Sequence, residues 1–585
     1  MRIPGEQVER TVSRRAVLRS AMAGGALLAV PGYARDRPKP RPNVVLIMTD
    51  DQGYDDLACH GNKFIKTPNL DKLHGECVRL TDFHVSPKCS PTRAALLTGR
   101  HCRNVAVQGT NNSVNLLARD ATTMANVFAD NDYRTGIFGK WHLGDNYPYR
   151  PQDRGFQETV THGNGAITTT ADVDWGNDYF DDVYWHNGKR QRYTGYCTDV
   201  WFTEAIRFMT AAKGRPFFCY IPTNAPHGPL IVPPKYSKPY QGVRGVPDAK
   251  FYGMITNIDE NVGRLMGFLK RSGLADNTIL IFMTDNGTSR GNRRKRARRD
   301  SSAAGFTARM RGKKGSPYDG GHRVPFFIRW PDGRLTGGRT VDRLTAHLDV
   351  LPTLIDLCGL QPPKGATFDG KSLKVLLSGK QAHWPDRTIV ESFKGAVMTQ
   401  RWRLVGDELY DIAADPAQRT DVASKHPQVA ARLRQARQDA ERTWNTRKQR
   451  PIIGSDHENP ARFTVDQYLG LSKTWRRDTV TLGKPVNGPL PVEVQRAGTY
   501  EFRLRRWPEE VDTAIRGAIE GGKALPIVKA RLKVGRFDKT VPVADQAKEA
   551  TFRVTLRPGD ASIETWFVRT DGSASGAYYL YVKRL

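Results

Sequence analysis

Asn43-Val44-Val45-Leu46-Ile47-Met48-Thr49-Asp50-Asp51 is an almost unbroken apolar run closed by two carboxylates. Apolar residues without polar alternation predict a strand buried on both faces, as in a largely parallel sheet covered by helices. A second run, residues 278–283, has the same form and ends in Thr284-Asp285-Asn286. Both place oxygen-bearing side chains just past a strand's C-terminal end, the edge at which open α/β sheets bind ligands. Helical patterns over residues 122–130 and 252–269 lie between the two runs, so this region reads as α/β.

Further out the pattern changes. Residues 448–464 are polar and Pro-bearing and read as a linker or surface crossing. Beyond them, residues 499–505, 530–534, 550–556, 562–569 and 577–582 are short, alternating and rich in aromatic or β-branched side chains, predicting a smaller β-rich domain over 465–585. At the other end, Ser13-Arg14-Arg15-Ala16-Val17-Leu18 precedes a mildly apolar stretch over 21–30, which has the form of a twin-arginine export signal. That stretch is too short to span a bilayer and is followed by small residues suited to cleavage, so residues 1–34 are set apart from the fold. A periplasmic or secreted location follows, with no transmembrane segment in the mature chain.

The 585 residues are too many for one ordinary core and call for a large domain, 41–447, plus a smaller one. Lys and Arg number 90 against 60 Asp and Glu, a net charge of +30 that draws in anions without choosing among them. None of the seven cysteines forms a CxxC pair, so zinc-site spacing is absent. Cys219 and Cys358 lie in apolar runs and read as buried small hydrophobes.

Cys89-Ser90-Pro91-Thr92-Arg93-Ala94-Ala95-Leu96-Leu97-Thr98-Gly99-Arg100 has a helix-start proline, a helix-forming run and a closing glycine. Cys89 therefore sits at a helix N-terminus, where unpaired N–H groups and the helix dipole favour an anion. Taken alone, this spacing fits a helix cap with an incidental cysteine.

The segment resembles the CxPxR signature of type I sulfatases, formylglycine-dependent enzymes of the alkaline phosphatase superfamily. Around it stand Asp50-Asp51, Gly139-Lys140-Trp141-His142-Leu143-Gly144, Pro226-His227-Gly228-Pro229, Thr284-Asp285-Asn286-Gly287 and residues 314–321, Lys-Gly-Ser-Pro-Tyr-Asp-Gly-Gly, in the family's order. With the closing segment Glu408-Leu409-Tyr410-Asp411, the resemblance spans residues 41–440. It implies an alkaline-phosphatase-like sandwich with a large mixed, mostly parallel sheet, and hydrolysis of sulfate monoesters, with a sulfated small molecule or glycan, above all a sulfated carbohydrate, as substrate. It also implies conversion of Cys89 to formylglycine by a formylglycine-generating enzyme.

On the same resemblance, Asp50, Asp51, Asp285, Asn286 and the matured residue 89 would hold Ca²⁺, or Mg²⁺ in its place, through hard oxygen ligands. Arg93 would steady residue 89, Lys140 and Lys314 would neutralise sulfonyl charge, His227 would protonate the leaving alcohol, and His142 would act as the base that releases sulfate. His322, where the family more often has a small apolar residue, reads as an ordinary surface histidine rather than a substrate contact. His162 and Asn164 lie in a stretch that often lines the family's sulfate pocket. The basic run 290–299 reads as a solvated loop or an electrostatic guide for a polyanion. Two other functions fit parts of the sequence: a phosphomonoester or phosphonate-ester hydrolase of the same superfamily, and a non-enzymatic polyanion binder. No nucleic-acid-binding module is recognisable, so no nucleic-acid partner is expected.

Overall fold

In the computed structural model the described residues are 40–585 apart from 213, 291–309, 380–383, 394, 446 and 472–473. The twin-arginine segment and positions 291–299 of the basic run lie outside them. A ten-stranded mixed sheet is built from β1 (Asn43–Thr49), β2 (Val78–Leu80), β3 (Arg134–Gly139), β4 (Glu158–Thr161), β5 (Val183–His186), β6 (Lys189–Arg192), β7 (Phe217–Pro222), β8 (Thr278–Thr284), β9 (Phe326–Arg329) and β10 (Arg339–Val341). Across the sheet the order is β10-β2-β9-β8-β1-β7-β3-β4-β5-β6. The neighbours β8, β1, β7, β3 and β4 are parallel. Strand β9 runs antiparallel to β8 and β2.

The central strand explains the layering. Because side chains alternate between faces, Val44, Leu46 and Met48 enter a core that contains Ala94, Leu96 and Leu97 of α1 (Cys89–Thr98). Val45 and Ile47 enter the opposite core with Met254, Ile258, Val262 and Leu265 of α2 (Ala249–Arg271). Both faces of β1 are thus dry, and each fully buried aliphatic side chain contributes roughly 1.5–3 kcal/mol. Register then fixes the functional edge: Met48 pairs with Pro222 and Thr49 with Thr284, so the chain leaves β1, β7 and β8 at one level.

The C-terminal strands form two sheets that share one core, with Leu490, Val492 and Leu532 from one sheet meeting Phe502, Phe552 and Tyr579 from the other. The stretch read as a linker belongs to these sheets. Ile452–Ile453 pairs with Leu490–Val494, and Ala461–Thr464 pairs with Tyr579–Arg584. These strands are too short to show periodicity, and Pro451 and Pro460 just ahead of them suggest a crossing instead. Residues 41–585 pack as one unit. Trp175 even enters the C-terminal core, edge-on to Trp507 at 5.8 Å. None of the seven cysteines is in a disulfide; Cys219 and Cys358 are buried. Among the described residues no helix is long and apolar enough to cross a membrane.

Candidate functional site

Parallel strands deliver the site. Asp50 and Asp51 follow β1, Lys140 and His142 follow β3, His227 follows β7, and Asp285 and Asn286 follow β8. Helix α1 begins at Cys89, which is buried, and ends against Gly99 at φ 64°. Gly139 has φ 128°, and a Cβ there would lie 2.1 Å from the Pro222 carbonyl oxygen. Only glycine makes this close approach to β7, from which the chain turns into Lys140.

Arg93, one turn into α1, is fully buried. Its guanidinium donates to Asp285 Oδ2 at 2.9 Å and to the Lys140 carbonyl at 2.9 Å, and lies 3.5 Å from Asp50 Oδ2. The Lys140 ammonium pairs with Asp50, and Lys314 with Asp51. Asn286 donates to Asp51 Oδ1 at 3.0 Å, and His227 Nε2 lies 3.8 Å from Asp51 Oδ2. Asp51 and His142 hold left-handed backbones at φ 69° and 64°. Non-glycine residues take that conformation at a cost that the surrounding contacts must offset.

The electrostatics follow from burial and this charge density. Burial opposes ionisation of Asp50, yet Lys140, His227, Arg93 and Lys314 together hold its carboxyl well below the usual range. Burial and the neighbouring Asp50 push Asp285 up to about 7. Burial and then Lys140 and Arg93 hold His142 well below an ordinary imidazole, and burial with Lys314 lowers His227. Burial raises the Cys89 thiol against the pull of Lys140 and Lys314.

The residues present could hold a divalent cation. Asp50 Oδ1 and Asn286 Oδ1 are buried and accept no hydrogen bond from any described residue. Ligand atoms of Asp50, Asp51 and His227 lie within 4.8 Å of one another. Uncompensated buried oxygens are costly in a protein alone, and they suit a hard cation with oxygen ligands.

Cys89, His142, His227 and Lys314 line one open pocket of about 310 Å³, together with Thr110, Asn111, Asn164, Gly165, Thr169 and Trp475 among others. Asn164 thus belongs to the pocket. His162 instead turns away, its Nδ1 meeting the Gly163 carbonyl at 2.9 Å, and lines a second cavity with Trp141 and Trp185. Asn111, Thr169 and Trp475 carried no sequence signal, because polar loop residues and a lone tryptophan resemble ordinary surface.

His322 is not a surface histidine: it is 1% exposed. Its Nδ1 faces His84 Nδ1 at 2.9 Å, while its Nε2 meets the Pro317 carbonyl at 3.1 Å. His84 Nε2 in turn meets Asp82 at 2.8 Å, and Arg403 bridges Asp82 and Asp319. These partners come from distant strands and loops, so neighbouring sequence could not reveal the burial.

The chain matches the Sulfatase family over residues 42–360, and a C-terminal family described as N-sulphoglucosamine sulphohydrolase over 313–442. It is 33% identical over 387 residues to arylsulfatase A of Homo sapiens, covering 60% of this chain and 70% of the relative. It is 29% identical over 387 residues to N-acetylgalactosamine-6-sulfatase of Homo sapiens, covering 59% and 68%. A solved structure of Ps i-CgsB in complex with k-i-k-neocarrahexaose superposes with a TM-score of 0.61 at 27% identity, covering 69% of this chain and 94% of that one. The mostly parallel sheet between helical layers is the alkaline-phosphatase-like architecture of such neighbours. With a matched stretch that takes in β1, α1 and β8 and more than half of all residues, the chain belongs to the sulfatase family, enzymes that hydrolyse sulfuric esters.

Proposed function

We propose that this sulfatase hydrolyses sulfate monoesters of a carbohydrate, with Cys89 matured to formylglycine and Ca²⁺, or Mg²⁺ in its place, held by Asp50, Asp51, Asp285, Asn286 and residue 89. The observation that carries the reading is the position of Cys89: the buried start of α1, in one pocket with His142, His227 and Lys314. Its sulfur stands where the matured residue would present oxygen. A hydrated formylglycine supplies one hydroxyl to attack sulfur and a second whose proton is removed later. A bound cation supplies positive charge that favours the ionised hydroxyl and draws electron density from the sulfate.

This chain's own groups divide the remaining work. Nε2 of His142 meets the Thr110 carbonyl at 2.8 Å and so carries the hydrogen, leaving Nδ1, buried and without a hydrogen bond from any described residue, as the proton acceptor. Its depressed basicity keeps it neutral and ready for that role. His227 Nδ1 meets the Gly228 carbonyl at 2.6 Å, which takes the Nδ1 hydrogen, so Nε2 delivers a proton to the leaving oxygen from the doubly protonated ring, the form that Asp51, 3.8 Å away, favours. Lys140 and Lys314 are fixed by Asp50 and Asp51 before substrate arrives, and preorganised cations stabilise developing charge without reorganisation. Arg93 holds Asp285 and the Lys140 main chain in place.

A carbohydrate substrate is supported by the similarity to N-acetylgalactosamine-6-sulfatase and to a structure solved with neocarrahexaose. The net charge of +30 suits an anionic glycan. We also infer maturation by a formylglycine-generating enzyme, followed by twin-arginine export to the periplasm or beyond. Release of inorganic sulfate from sulfated mono- and oligosaccharides, alongside intact mass measurement at Cys89, tests the reading. An unmodified thiol in fully active protein would contradict it.

A further inference from the structure

The matched family stretches end at residue 442, yet the pocket that Cys89 lines is also lined from beyond them. Trp475 lines that pocket and remains 36% exposed, one of the few large apolar side chains left open to solvent among the described residues. Its position is fixed. The Thr170 N–H donates to the Trp475 carbonyl at 2.9 Å, Thr170 Oγ1 donates to the Thr474 carbonyl at 3.2 Å, and Thr169 bridges to Arg476. Buried Asp466, from the same C-terminal region, accepts from the Asn111 amide at 3.1 Å through each oxygen, from the Asn164 amide, and from Thr474 Oγ1 at 3.2 Å.

One carboxylate therefore orients two pocket amides and the residue preceding the tryptophan. Exposed aromatic surface beside fixed amides is a mixed wall. Asp466 uses only part of the two amides' hydrogen-bonding capacity; a purely apolar ligand would strip water from the rest, at a cost, and a fully polar one would gain nothing from the indole. A sugar ring satisfies both, with C–H groups on one face and hydroxyls at the rim.

We propose that Trp475 is the platform on which the sulfated sugar ring stacks, with Asn111 and Asn164, set by Asp466, receiving its hydroxyls. The C-terminal region is thereby part of the substrate site and determines specificity for saccharides. This inference rests on the sulfatase reading of Cys89 and its neighbours.

The test compares the wild-type chain with Trp475→Ala and Trp475→Phe on galactose 4-sulfate, galactose 6-sulfate, glucosamine 6-sulfate and 4-nitrophenyl sulfate, with Tm measured for each protein. For the best sugar sulfate, Trp475→Ala is expected to raise KM by about tenfold or more while kcat stays within about threefold. Trp475→Phe is expected to recover most of that loss, and both variants to keep the wild-type Tm within a few degrees. An unchanged KM in Trp475→Ala, or a fall in kcat without a rise in KM, overturns the platform. Wild-type turnover of 4-nitrophenyl sulfate with no sugar sulfate accepted overturns it too, while leaving the sulfatase reading standing. Absence of wild-type turnover on every sulfate ester, in protein carrying the aldehyde at residue 89, overturns both.

Discussion

Arg93 Nη2 donates to Asp285 Oδ2 at 2.9 Å, and both side chains are fully removed from solvent. Breaking a buried pair by deleting one partner strands the other, typically at a cost of about 3–5 kcal/mol. Arg93→Ala should lose about that much in urea unfolding at pH 8. Arg93→Lys restores charge but not the fork that also reaches the Lys140 carbonyl, so turnover should stay low even where stability returns. A fully active Arg93→Lys enzyme would show that the fork is dispensable.

Cys89 carries the proposed nucleophile. Cys89→Ala removes it and Cys89→Ser leaves a single hydroxyl, which permits attack on sulfur but not the later release of sulfate. Turnover should vanish in both, and intact mass should show a retained sulfate on the Ser variant alone. Sulfate release by Cys89→Ala would sink the assignment.

Asp50, Asp51 and Asp285 crowd one strand edge, where Asp50 Oδ1 and Asn286 Oδ1 accept no hydrogen bond from any described residue. Stripping divalent ions with a chelator should abolish activity and lower Tm, and Ca²⁺ should restore both. In Asp285→Ala, Ca²⁺ should restore neither. Undiminished turnover after exhaustive chelation, with metal analysis confirming removal, would dismiss the cation site.

Gly165 has no side chain where His142 needs room: a Cβ there would lie 2.6 Å from Nε2 and 2.7 Å from Cε1 of that ring. Gly165→Ala should tilt the imidazole off the Thr110 carbonyl. A displacement of this kind can cost about a hundredfold in kcat. Circular dichroism and Tm should stay near wild type, and an Ala variant with normal kcat would remove His142 from the proton transfer.

Burial pushes His162 down to about 3 from an ordinary 6.5. The unfolded chain therefore takes up a proton at this residue below pH 6.5, and the folded chain does not until about pH 3. Protons bound preferentially by the unfolded state make stability fall with falling pH, here by up to about 1.4 kcal/mol per pH unit. Across that window wild type should lose stability more steeply than His162→Gln, measured by urea unfolding at successive pH values. Parallel curves would mean that His162 is already protonated in the fold.

Local sequence determined what local interactions decide. The runs at β1 and β8 were legible because burial on both faces leaves no polar alternation, and the C-terminal strand Ala550–Leu556 because burial on one face leaves a strict one; residues 579–582, read as alternating, are buried throughout. Motif order and residue type also identified the charged groups that meet at the edge. Other features depended on chain separations that no window of sequence contains. Asn111 reaches Asp466 across 355 positions, and His84 faces His322 across 238. Trp475 reads as an ordinary surface tryptophan until the backbone pairing at Thr169 and Thr170 brings it into the pocket that Cys89 also lines. Hydrophobic period encodes which face of an element is dry. Which distant loops close over the strand ends is set by the packing of the C-terminal sheets against the rest of the chain, and only the tertiary structure decides that.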